Sequence, residues 1–186
     1  MKRIILLLVL TLTYSCVDTK SDLKKENKKK IKYETKVDYS KKDKKLWAKS
    51  FLGKKAPKLI VEEWIGKKPS FENKFMLLDF WGTSCHQCKK LIPILNDFQK
   101  KYKDKLVIVG LSGDSKESIE NFMKSYKFNY YKAIDRKSRT KRAYRVRGIP
   151  HVVIIDPNNI VVWEGFPFLS SDPLNESRLN KILNTK

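Results

Sequence analysis

Leu77-Leu78-Asp79-Phe80-Trp81-Gly82-Thr83-Ser84-Cys85-His86-Gln87-Cys88-Lys89 is the stretch on which the fold turns. Its first residues belong to the apolar run Phe75–Phe80, the pattern of a strand buried on both faces. Its last residues open Cys88–Lys101, where Leu91, Ile92, Leu95 and Phe98 recur at helical spacing and Pro93 is expected to kink the helix. Two cysteines separated by two residues therefore sit where a strand hands over to a helix. Unpaired N–H groups and the helix dipole favour negative charge there, so Cys85 is expected to be richer in thiolate than a free cysteine. Cys88, one turn into the helix, is close enough to form a disulfide and release whatever Cys85 has attacked. A charged His86 between them would favour the thiolate further.

Three other chemistries compete for the pair. A structural zinc site needs four ligands, and beyond the two cysteines only His86 and His151 remain, with no second C-x-x-C. A purely structural disulfide closing so short a loop gains little chain entropy. Two inert buried cysteines do not suit a strand-to-helix junction. A redox-active dithiol is the favoured reading, and it requires no metal or organic cofactor.

Outward from this stretch, strands and helices alternate. Lys58–Glu62 is a candidate first strand and Leu106–Leu111 a second buried one. Ser115–Tyr126 reads as a helix capped by Ser115 or Asp114, with Ile119, Phe122 and Met123 facing the core. Tyr131–Asp135 is a short strand. Val152–Asp156 and Ile160–Glu164 flank Pro157-Asn158-Asn159 as a hairpin, and Asn175–Leu183 closes the domain as a helix. The order predicts an α/β fold: a central mixed sheet covered by helices on both faces.

Composition sets the surroundings. The 186 residues include 41 Lys plus Arg against 20 Asp plus Glu, a formal charge of +21. Hydrophobic residues at 41% and aromatics at 11% exclude wholesale disorder, and three cysteines are too few for a disulfide-stapled miniprotein. Such charge first suggests nucleic acid or an anionic membrane, so its location matters. Lys2 and Arg3 precede the apolar run Ile4–Leu12, which is followed by Thr13, Tyr14, Ser15 and Cys16. That is the pattern of an export signal, and it is short of the roughly 20 residues a membrane-spanning helix needs.

Leu12-Thr13-Tyr14-Ser15-Cys16 resembles a bacterial lipoprotein signal, although Thr13 stands where leucine is usual. The resemblance implies cleavage after residue 15 and lipidation of Cys16; an ordinary cleaved signal or an uncleaved anchor are the alternatives. Residues 17–46 then hold 12 lysines and six acids with no helical or strand period, the composition of a solvated tether over 16–46. Binding of its lysines to anionic lipid head groups is the alternative to a plain spacer. The folded domain is expected at 47–186.

The decisive stretch resembles the active site of the thioredoxin superfamily. Asp79, six residues before Cys85, matches the buried acid that exchanges a proton with the second cysteine. Trp81 matches the tryptophan packed beside the disulfide, and Pro93 the helix-kinking proline. Arg147-Gly148-Ile149-Pro150 looks like the loop with the cis-proline, which implies a cis Pro150 and an Ile149 backbone that pairs with an extended substrate strand.

A finer resemblance is to the membrane-tethered TlpA/ResA-like thiol–disulfide oxidoreductases. It rests on the export signal, on Gly53-Lys54-Lys55-Ala56-Pro57, and on an insertion before the cis-proline loop that Leu111–Asp135 is long enough to supply. Ser84 departs from the tryptophan usual before the first cysteine, making one wall of the substrate groove smaller. His86 and Gln87 replace a proline-containing dipeptide and would tune the potential, and Asp79 stands where this subgroup often has Asn.

The resemblance implies an exported, lipid-anchored reductase of envelope-protein disulfides, facing the periplasm. Cys85, Cys88 and Asp79 would be catalytic, and Trp81, Ile149 and Pro150 would bind substrate. The family's best-known substrate class is apocytochrome c, and a membrane thiol donor of DsbD/CcdA type would recharge the pair. An oxidant or isomerase, and a low-turnover binding or stress-response lipoprotein, stand as the other readings. Buried Asp79 competes with a solvent-facing strand-end acid, and His151 with a simple cap of the proline loop. The basic run Lys132, Arg136, Lys137, Arg139, Lys141, Arg142, Arg145 and Arg147 surrounds only Asp135; it reads as a solvated face or as a dock for an acidic partner. Nothing resembles a nucleic-acid-binding module, and no nucleic-acid partner is expected.

Overall fold

The computed structural model describes residues 46–184. The signal at 1–15, Cys16 and all but the last residue of the tether lie outside them. In chain order the elements are β1 (Glu63–Ile65), β2 (Phe75–Trp81), α1 (His86–Tyr102), β3 (Leu106–Ser112), α2 (Lys116–Met123), β4 (Tyr131–Ile134), α3 (Arg139–Ala143), β5 (His151–Ile155), β6 (Val161–Gly165) and α4 (Glu176–Asn184). The strands form one mixed sheet in the order β1-β4-β3-β2-β5-β6. β2, β3 and β4 run parallel, and β1, β5 and β6 are antiparallel to their neighbours. This is the thioredoxin-like architecture.

The apolar runs form the central strands because both faces of the sheet are covered. Along β2, Phe75, Leu77 and Trp81 face one core with Cys88, Leu91, Leu95 and α4 residues Leu179 and Ile182. Leu78 and Phe80 face the other, with Val107, Val109, Tyr144 and Val153. Side chains alternate along a strand. Asp79 is therefore on the α1 face.

The predicted strand Lys58–Glu62 is not one; β1 starts at Glu63 and has three residues. The reason lies at Ile60. Its N–H donates to Thr140 Oγ1, and Thr140 Oγ1 donates back to its carbonyl, both at 2.8 Å. A single hydroxyl thus supplies both bonds that a neighbouring strand would offer. Thr140 belongs to α3, an element absent from the sequence reading. The basic run conceals it, and Asp135 caps it by accepting the Arg139 and Lys141 N–H groups at 2.6 and 3.0 Å. The helix expected over Ser115–Tyr126 is shorter, with Ser115 as N-cap. Together α2 and β4 fill the insertion before the proline loop, β4 lengthening the sheet beside β3.

Candidate active site

Cys85 is the N-cap of α1, with extended backbone, and its Sγ accepts the Cys88 N–H at 3.1 Å. An N-cap position aims amide donors at the capping atom; here that atom is a sulfur. The same donors would stabilise a thiolate, since hydrogen bonds to an ion are stronger than those to a neutral acceptor. Cys85 and Cys88 are joined in a disulfide, their Cα atoms 5.3 Å apart. Burial separates them: Cys88 is 2% exposed, whereas Cys85 is half-buried. An incoming sulfur meets Cys85. His86 and Gln87 are exposed on the first turn of α1.

The loop before Cys85 is braced from two sides. Cys85 N–H donates to Gly82 O at 3.1 Å, and Thr83 N–H donates to Asp114 Oδ2 at 2.7 Å. Asp114 is held in turn by Ser112, whose hydroxyl donates to Oδ2 and accepts the Asp114 N–H, both at 3.1 Å. A Cβ on Gly82 would meet Ile149 Cδ1 at 3.4 Å and Asp114 Oδ2 at 3.5 Å. The bare backbone of Gly82 therefore fits between Asp114 and the proline loop. Sequence reasoning treated Asp114 only as a possible helix cap; its position at the end of β3, level with the end of β2, was the missed signal.

Beneath the disulfide lies a buried polar group of three. Asp79 is 2% exposed, and burial pushes its carboxyl from 3.8 up to about 8. Asp79 pairs in register with Gly110 on β3. A Cβ on Gly110 would lie 3.0 Å from Trp81 Nε1 and 3.1 Å from Tyr130 Cε2. Glycine thus lets both rings close over the sheet beside Asp79. Asp79 Oδ1, Trp81 Nε1 and Tyr130 Oη are buried without a hydrogen-bond partner among the described residues. Burial, with the Asp79 charge second, raises the Tyr130 phenol well above its ordinary value. Trp81 packs on Phe128 and Phe122, ring centroids 4.9 and 5.4 Å away, and floors the site as a core residue.

The Ile149–Pro150 peptide bond is cis. Ile149 and Pro150 lie just ahead of β5, whose ladder begins at His151 opposite Phe80. His151 is buried there, its ring 6.1 Å from that of Phe80. Gly148, Ile149, Pro150 and His151 line a groove of about 430 Å³ with Trp47, Phe166 and Leu169. Among the described residues no group of three or more His, Cys, Asp or Glu is placed to hold a metal ion, and no helix is long and apolar enough to cross a membrane.

Comparison with known proteins agrees with this geometry. A family model described as "Thioredoxin-like" matches residues 73–161. The thiol-disulfide oxidoreductase ResA of Bacillus thuringiensis subsp. konkukian is 36% identical over 118 residues, covering 61% of this chain and 68% of that protein. ResA of Bacillus subtilis is 36% identical over 115 residues, covering 59% and 64%. Among solved structures, a putative thiol:disulfide interchange protein DsbE from Chlorobium tepidum superposes with a TM-score of 0.55 at 29% identity, covering 61% of this chain and 80% of that one.

Proposed function

The chain belongs to the ResA-like thiol–disulfide oxidoreductases of the thioredoxin superfamily, and from that premise we propose that it works as a reductase of protein disulfides in the bacterial cell envelope. The observation that carries the reading is the unequal burial of the pair, an accessible Cys85 capping α1 above a buried Cys88. Cys85 thiolate attacks one sulfur of a substrate disulfide. That bond breaks, the second substrate sulfur leaves as thiolate, and a mixed disulfide forms. The Cys88 thiol then passes its proton to the Asp79 carboxylate and attacks Cys85 Sγ. The Cys85–Cys88 bond forms and the first substrate sulfur leaves reduced. Two electrons have moved from the dithiol to the substrate.

Asp79 suits the proton transfer because burial holds its carboxyl up to about 8, making it a far stronger base than an exposed carboxylate. At neutral pH the reaction ends with a disulfide over a protonated Asp79. Ile149 and Pro150 hold the substrate strand over Trp81, and His86 and Gln87 tune the potential. The signal at 1–15, lipidated Cys16 and the 16–46 tether would hold the domain, 47–186, on the periplasmic side of a membrane. A membrane thiol donor of DsbD/CcdA type would recharge it, and apocytochrome c is the substrate class to test first.

Cys88→Ser should freeze the first step, so substrates accumulate on Cys85 as mixed disulfides identifiable by mass spectrometry. Absence of any Cys85 adduct in the native envelope would favour a binding protein. Equilibration with glutathione sets the direction: a potential near −270 mV, the thioredoxin value, supports reduction. One near about −120 mV would make the protein an oxidant.

A further inference from the structure

The backbone around Trp47 is fixed by hydrogen bonds. The Trp47 carbonyl accepts the Arg147 N–H at 2.6 Å, and two residues on, Lys49 N–H donates to Tyr144 O at 3.1 Å. Phe51 N–H donates to Glu164 Oε2 at 2.9 Å, and the Ser50 hydroxyl donates to Glu164 Oε1. Four bonds thus pin the segment to β6 and to the approach of the proline loop. The indole they carry is nevertheless 60% exposed, the exposed large hydrophobic side chain of the described residues.

The ring stands over Gly148, where a Cβ would come within 3.1 Å of Trp47 Cβ and 3.3 Å of Cγ. It lines the groove of about 430 Å³ together with Phe166 and Leu169. That volume falls within the usual range of ligand sites, roughly 300–1,000 Å³. Ile149 and Pro150 line it too, and Ile149 Cδ1 lies 3.4 Å from where a Cβ on Gly82 would stand. Ile149 thus links the groove to the loop that carries Cys85. The segments that carry Trp47 and Gly148 also carry exposed cations, Lys49, Arg145 and Arg147, whereas the Glu164 carboxylate beside them is buried and bonded to Ser50 and Phe51.

We infer that Trp47 walls a specificity subsite that takes a large apolar side chain from an extended, acidic protein segment whose disulfide is presented to Cys85. Apolar walls select the side chain, and the surrounding cations select its acidic neighbours. This inference rests on the disulfide-exchange reading above.

The test uses the full chain carrying Cys88→Ser and two synthetic peptides, each with one cysteine as a mixed disulfide with thionitrobenzoate. One peptide has Trp two residues before the cysteine and Asp on either side; the other has Gly in place of that Trp. Cys85 thiolate attacks the peptide sulfur, the Cys85–peptide bond forms, and thionitrobenzoate leaves as a coloured thiolate. Mass spectrometry confirms the adduct at Cys85. The Trp peptide is expected to react about tenfold faster, a gap that Trp47→Ala narrows to less than twofold and Trp47→Phe largely retains. Leu169→Ala, elsewhere in the groove lining, should narrow it as well, and 0.5 M NaCl should slow both peptides. An equal rate for the two peptides in the parent, or a preference unchanged by Trp47→Ala and Leu169→Ala, overturns the inference. So does a dimer of the parent that Trp47→Ala dissociates, since the groove would then hold a second copy. Failure of both peptides to form any Cys85 adduct would instead remove the disulfide-exchange reading and this inference with it.

Discussion

Asp79 joins chemistry to stability at the scale of one residue. Unfolded, its carboxyl loses its proton near 3.8; folded, burial among apolar side chains holds the proton up to about 8. Between those values the native state binds more protons than the unfolded one, so stability falls as pH rises through that window and levels off above it. The loss above pH 8 is on the order of 5 kcal/mol. Asp79→Asn keeps the shape and removes the titration. In the disulfide form its advantage over wild type should be absent below about pH 4 and grow to several kcal/mol above about pH 8, read from denaturant midpoints across pH. A constant difference at every pH would show that burial does not govern this carboxyl. The same variant should slow release of mixed disulfides from Cys85 by about 10²-fold or more, the loss of a positioned proton acceptor. The sequence placed Asp79 correctly among apolar neighbours, but not its companions. Gly110 joins it through the parallel pairing of β2 with β3, and Tyr130 through that of β3 with β4, relations that no local pattern in the sequence carries.

Among the elements, α1 does the most for the site. Its N-terminus converts a sequence spacing into an electrostatic device, because the capping atom is the Cys85 sulfur, the nucleophile of the proposed cycle. The loop that delivers Cys85 to that position is held by Asp114, from the end of β3. Asp114→Ala leaves the Thr83 N–H without its acceptor, at a cost of about 1–3 kcal/mol. Native-state hydrogen exchange should show the Thr83 amide opening at least tenfold faster while the central strands keep their protection. Unchanged exchange at Thr83 would show that the loop stands without the brace. Strong patterns in the sequence located the central strands and α1 to within a few residues. Weak ones misled: Lys58–Glu62 holds the short apolar run Leu59-Ile60-Val61 but is bonded by Thr140, and α3 hides in a run of Lys and Arg whose helix depends on the Asp135 cap.

For the whole molecule, the question raised by +21 is where the charge resides. Residues 1–15 carry two of those charges and residues 17–46 six, and the rest lie at 47–186, Lys49, Arg145 and Arg147 among them. A lipid on Cys16 would hold this positive domain near an anionic surface, each buried methylene contributing roughly 0.8 kcal/mol. Cys16→Ala should therefore move the protein from the membrane to the soluble fraction after osmotic lysis; retention at the membrane would assign the anchoring to the apolar run Ile4–Leu12. The local sequence was sufficient for the fold class, the dithiol and the acid beneath it. Each depends on a short-range pattern: apolar runs that make buried strands, helical spacing, and two cysteines one turn apart. Tertiary structure alone decided which groups meet them. Asp114 reaches back to Thr83, Tyr130 lies beside Asp79, and Trp47 stands over Gly148. All three contacts join segments far apart in the chain, and their partners are chosen by strand register and packing, which no single stretch of sequence specifies.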